Sequence, residues 1–154
     1  MERTSRKVRV CTVLLVLNIL FIWGNSLLPG SVSGALSGWV RDCLAMLFPG
    51  GTSAPESGHG LLRKLAHFTE FACLGALLAW LLSMLEKPVA LAILCGLAVA
   101  ALDETIQCFV PGRGPSLIDV LIDTSGVILG IGLRLAGYVL FKKRTKHCLE
   151  DTPI

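Results

Sequence analysis

The feature that most constrains this chain is the length of its apolar runs. Four of them, Val8–Leu28, Leu65–Leu85, Pro88–Val110 and Leu117–Phe141, reach about 20 residues or more. A helix rising about 1.5 Å per residue crosses a hydrocarbon core of about 30 Å in such a run. With 53% apolar and 16% charged residues among 154, the composition lies outside the soluble range. The chain therefore reads as all-α, a polytopic four-transmembrane-helix bundle forming a single membrane domain over residues 1–154.

The first run follows a basic start and invites comparison with a signal peptide. It is longer than a signal core, and the Leu28-Pro-Gly-Ser-Val-Ser-Gly-Ala35 stretch is a poor cleavage site, so it is expected to stay as a span. Lysine and arginine set the orientation. With the N-terminus inside, nine basic residues flank the spans in the cytoplasm (Arg3, Arg6, Lys7, Arg9, Lys87, Lys142, Lys143, Arg144 and Lys146) and four lie outside (Arg41, Arg63, Lys64 and Arg113). Both termini are thus expected to be cytoplasmic. The basic tails are topology anchors, not a nucleic-acid surface.

Between the first two spans, Leu36, Trp39, Val40, Cys43, Leu44, Leu47 and Phe48 recur at helical spacing opposite Ser37, Arg41 and Asp42. Ala35–Phe48 is expected to be a helix lying in the outer membrane interface, and Gly50–Gly58 a flexible loop. Lys87-Pro88 reads as the tight inner turn, with proline at the first helical position. The six cysteines show no metal or disulfide spacing; of them, only Cys43 and Cys108 are placed to meet on the outer face.

Against this apolar background, the segment from Asp103 to Asp123 carries four carboxylates. Insertion scales put an ionised side chain at mid-membrane at roughly 2.5–3.5 kcal/mol, so such groups need compensation or a role. Measured from the outer span ends, His67 and Glu70, Asp103 and Glu104, and Asp119 and Asp123 all fall about 4–10 Å deep. The spans alternate in direction, so their meeting at one level is not expected of scattered polar residues. Asp119 and Asp123 lie one turn apart on the stripe continued by Gly126 and Gly130. Gly96, Ala100, Asp103 and Gln107 form a matching small-residue stripe on the third span.

Simpler readings exist for single residues. Ser116-Leu-Ile-Asp119 fits a capping box, Glu70 fits a partner for His67, and Arg113 fits a counter-ion. Asn25 and Ser26 could merely satisfy backbone groups. Jointly, five carboxylates, a histidine, a glutamine and an arginine on one rim point to a functional site.

The segments Arg63–Gly75 and Asp103–Gly126 resemble the VanZ-like family of bacterial membrane proteins. Its pattern is lysine-x-x-histidine, then aspartate-glutamate-x-x-glutamine, a proline-glycine-arginine turn, and an aspartate-rich last span with spaced glycines. Matching positions are Lys64, His67, Glu70, Asp103, Glu104, Gln107, Arg113, Ser116, Asp119, Asp123 and Gly126. Asn25-Ser-Leu-Leu-Pro29 lacks the glutamine of the family's first-span exit. The resemblance implies a multi-pass protein of the bacterial cytoplasmic membrane and cell envelope. It also implies a link, in some relatives, to antibiotic resistance against the glycopeptide teicoplanin.

Three functions fit these residues. In the first, His67, Glu70, Asp103, Glu104 and Asp123 supply acid–base or metal chemistry on a membrane lipid or lipid-linked envelope precursor, with a divalent metal as a possible cofactor. Lys64, Gln107, Arg113, Ser116 and Asp119 would bind the ligand, Arg113 clamping a phosphate. The second is a non-catalytic protein that binds lipid or antibiotic, and the third a proton or ion pathway. No nucleophile elbow or phosphate loop is present.

Overall fold

The computed structural model describes residues 2–47, 58–114 and 116–150. Among them are five helices: α1 (Glu2–Ser26), α2 (Gly30–Leu47), α3 (Gly58–Met84), α4 (Val89–Gln107) and α5 (Leu117–Glu150). Four are long and apolar enough to cross a membrane, over Thr4–Ser26, Leu61–Met84, Val89–Gln107 and Leu117–Lys142. Their exteriors are apolar. Val13, Leu17, Phe21, Leu94, Leu121, Leu133 and Leu140 all face outward, as they do when lipid replaces water around a bundle.

α3 is the centre of the bundle and meets every other helix, α5 most extensively. The sequence permits this because glycine lies where the two backbones approach. A Cβ on Gly126 would overlap the Phe68 carbonyl, one on Gly130 the Ala72 carbonyl, and one on Gly75 the Val127 backbone. Close approach between spans relies on such small residues, since lipid supplies no hydrophobic drive to bring helices together. The Gly126/Gly130 stripe therefore packs on α3, whereas the small stripe of α4 receives a side chain: Gly96 faces Val127. Ile22, Phe71, Leu74, Leu78, Val127 and Ile131 fill the core below.

α3 ends in a Schellman motif. Lys87 N–H donates to the Leu82 carbonyl at 2.9 Å and Glu86 N–H to that of Ser83 at 3.4 Å. Glu86 takes the left-handed position, φ 54°, usually held by glycine. Pro88 follows as the N-cap of α4, one position earlier than expected, with extended backbone.

α2 begins at Gly30, five residues before the expected Ala35, because Pro29 opens it. It packs against α3. Phe48 and most of the expected loop, residues 50–57, lie outside the described residues. Cys43 and Cys108 are free thiols, so the bridge between them is not formed. Arg134 stacks over the Tyr138 ring one turn further along α5, at 5.9 Å.

Candidate functional site

The C-terminal ends of α1 and α4 meet the N-terminal halves of α3 and α5 at one end of the bundle, opposite the start of α1 and the end of α5. There the polar residues converge: Ser26, His67, Asp103, Glu104, Gln107 and Asp123 are all buried. Depth alignment expected from the sequence thus becomes direct contact.

Asp103 is the hub, with no exposed surface. Its Oδ2 accepts from the Ser26 hydroxyl and from Gln107 Nε2, both at 2.8 Å, while Oδ1 has no partner. Gln107 also donates to Ser26 at 3.2 Å, closing a triangle between α1 and α4. The i, i+4 spacing of Asp103 and Gln107 makes that bond local; Ser26 ties it to the first span.

A second chain of contacts holds the histidine. Asn25 Nδ2 donates to Glu70 Oε1 at 2.9 Å, and Glu70 Oε2 lies 3.8 Å from His67 Nδ1. That distance is too long for a hydrogen bond. Both ring nitrogens of His67 are buried without a partner, though the ring is only 7% exposed. Asn25 and Ser26, which from the sequence need only satisfy backbone groups, are thus part of the site. Their signal was there: two adjacent polar residues at a span end, level with the acids.

The turn between α4 and α5 is built from the same residues. Ser116 caps α5, its Oγ accepting from Asp119 N–H at 3.3 Å. A capping box would return the third-position carboxylate to the cap N–H. Here Glu104 of α4 does that instead, Oε2 accepting from Ser116 N–H at 2.8 Å. Asp119 is thereby released to pair with Lys64 of α3 at 2.7 Å.

Arg113 is tied to the end of α1, while its Nη1 is buried without a partner. Its Nε donates to the Leu28 carbonyl and its Nη2 to that of Asn25, each at 3.1 Å. The Asn25 carbonyl also accepts from Leu28 N–H at 3.3 Å, and a cation at this end of α1 suits the helix dipole. Burial lowers the Arg113 pKa and the nearby Arg63 charge adds to this, while Asp103, Glu104 and Glu70 oppose it. Behind it, Gly112 at φ 74° sits against Gly30, whose N–H donates to the Pro111 carbonyl at 3.1 Å. The turn thus locks α1 to the rim, and the first span is an integral part of the site.

Two spaces adjoin this network. A cavity of about 10 Å³ is lined by Lys64, His67, Glu104, Gln107, Asp119, Ile122 and Asp123. A groove of about 300 Å³ runs between α2 and α3, walled mainly by Leu36, Val40, Leu62, Leu65 and Ala66, with Asn25 and Arg63 at its polar edge. His67, Asp103 and Asp123 each offer a ligand atom, and these lie within 4.8 Å of one another. Of the residues expected at the site, His67, Asp103, Glu104, Gln107 and Asp123 come together in the interior. Glu70 stands behind His67, Lys64 and Asp119 form the cavity mouth, and Ser116 and Arg113 serve the helix ends.

The VanZ/LLP1 family model matches residues 11–141. The chain belongs to the VanZ/LLP1 family. The match takes in the second and third spans whole, most of the first and fourth, and every residue of the cluster, so the rim just described is part of the VanZ/LLP1 domain. No curated protein and no solved structure shows a significant match to the chain.

Proposed function

We propose that this VanZ/LLP1 protein works in the bacterial cytoplasmic membrane with its polar rim outward, acting on the headgroup of a lipid or lipid-linked cell-envelope precursor. The observation that carries this reading is the buried cluster itself. A bundle needing only stability would not bury Asp103 and His67 with three polar atoms unpartnered, since each such atom costs about 1–3 kcal/mol, nor bury Asp123 beside them. The bias of nine basic residues against four supports cytoplasmic termini and hence an outward rim. On that orientation α2 lies at the outer interface, and the apolar groove beneath it suits an acyl chain, with Arg63 beside an anionic headgroup.

A proton or ion pathway is disfavoured by the core below the cluster, where Ile22, Phe71, Leu74, Val127 and Ile131 offer no polar relay toward the other end. The binding reading differs from the enzymatic one in its product. A susceptible bacterial host expressing the protein should show an altered envelope lipid by mass spectrometry and reduced teicoplanin susceptibility. His67→Ala and Asp103→Asn should lose both at unchanged membrane levels. Full activity in both variants would overturn the enzymatic reading. A lipid retained on purification, with no altered product, would replace it with the binding reading.

A further inference from the structure

We propose that His67, Asp103 and Asp123 bind one first-row divalent metal ion, of the zinc class, at the bundle end, beside the small cavity that His67 and Asp123 line. The inference rests on the reading of this cluster as a ligand site and names its occupant. Three residues on three helices, α3, α4 and α5, each present a ligand atom, all within 4.8 Å of one another. Tetrahedral zinc bonds of about 2.0–2.2 Å place neighbouring ligands about 3.3–3.6 Å apart. Small side-chain movements close that difference.

The donors are prepared in the way metal ligands are. Asp103 has one oxygen held by Ser26 and Gln107 and the other bare in the interior. His67 is 7% exposed and both its nitrogens lack partners. Its Nδ1 side faces Glu70, itself fixed by Asn25, which leaves Nε2 for the ion. A carboxylate behind a ligating histidine sets its tautomer and raises its basicity. Asp123 is 2% exposed and forms no hydrogen bond or ion pair among the described residues. Two buried carboxylates without a cation carry a large desolvation cost, which a dication would offset.

Size decides the class of occupant. The cavity against His67 and Asp123, of about 10 Å³, holds one water or one monatomic ion and is too small for a phosphate or sugar to enter beside these ligands. One imidazole with two carboxylates favours zinc over magnesium, which takes oxygen ligands and keeps its waters. Three protein ligands also leave a fourth position on zinc open, as catalytic sites do.

The test is metal analysis of the purified full-length protein in detergent, followed by titration of the chelator-stripped protein with zinc and with magnesium, read by native mass spectrometry. The expected result is about one zinc per chain, bound about tenfold or more tightly than magnesium. His67→Ala and Asp123→Asn should lose that zinc, and Glu70→Gln should weaken it about 10–100-fold without abolishing it. Thr105→Ala, on the exposed face of α4, serves as the control and should keep it. Helix content by circular dichroism and a monodisperse elution profile establish that each variant is folded. Wild type without zinc would overturn the proposal, as would zinc retained by both ligand variants or magnesium bound as tightly as zinc. Metal occupancy is read without substrate, so bound zinc with no lipid change would remove the enzymatic reading alone. A lipid change by protein carrying no zinc would remove the metal alone.

Discussion

Replacing Gly130 with alanine should destabilise the bundle, whereas the same replacement at Gly132 should not. Both glycines lie in α5, two residues apart, so the chemical change and helix are identical. At Gly132 a new Cβ meets nothing within 4 Å, and alanine gains about 0.5–1 kcal/mol from helix propensity. At Gly130 the Cβ overlaps the Ala72 carbonyl and approaches the Ala76 nitrogen at 2.9 Å. Both are backbone atoms, so no rotamer change relieves the clash and α3 must move away from α5. Overpacking of this kind costs about 1–3 kcal/mol. At roughly 2–4 °C per kcal/mol for a chain of this size, the expected drop is roughly 2–12 °C, less the propensity gain. Circular dichroism melting in detergent measures it, with Gly132→Ala at or slightly above wild type. Gly130→Ala melting with Gly132→Ala would refute the close α3–α5 approach, and with it the placement of Asp123 against His67.

Glu86→Gly should raise stability by about 1 kcal/mol, because glycine relieves the left-handed strain at φ 54° in the Schellman motif; thermal melting reads the gain. Arg113→Gln should lose about 1.5–3 kcal/mol in a denaturation assay, since charged hydrogen bonds to the Leu28 and Asn25 carbonyls disappear. Arg113→Lys should recover only part of that, lacking the planar fork. Ser116→Ala should cost about 1 kcal/mol of stability through the lost cap of α5.

Hydropathy made the four spans legible because a bilayer sets a fixed length, and alternating span direction made the shared level of the acids legible as well. Neighbour relations were not. Gly126 and Gly130 looked matched to the small stripe of α4, but small residues announce close approach without naming the partner, and the partner is α3. The glycine-flanked turn of Arg113 suits a phosphate clamp, but the bonds of its Nε and Nη2 to carbonyls 85 and 88 residues earlier are ones no local pattern can reveal. Asn25 and Ser26 were undervalued for the same reason, since their bonds cross 45 and 77 residues. The capping box was half right: Ser116 caps, but a carboxylate from another helix completes the motif.

On the proposed function, this buried cluster serves activity at a cost in stability. The most direct measurement is the melting temperature of chelator-treated Asp123→Asn against chelator-treated wild type. Asp123 is buried and makes no hydrogen bond or ion pair among the described residues, so neutralising it should leave the melting temperature unchanged or raise it. A clear drop would mean that Asp123 holds the bundle together and that the cluster is structural.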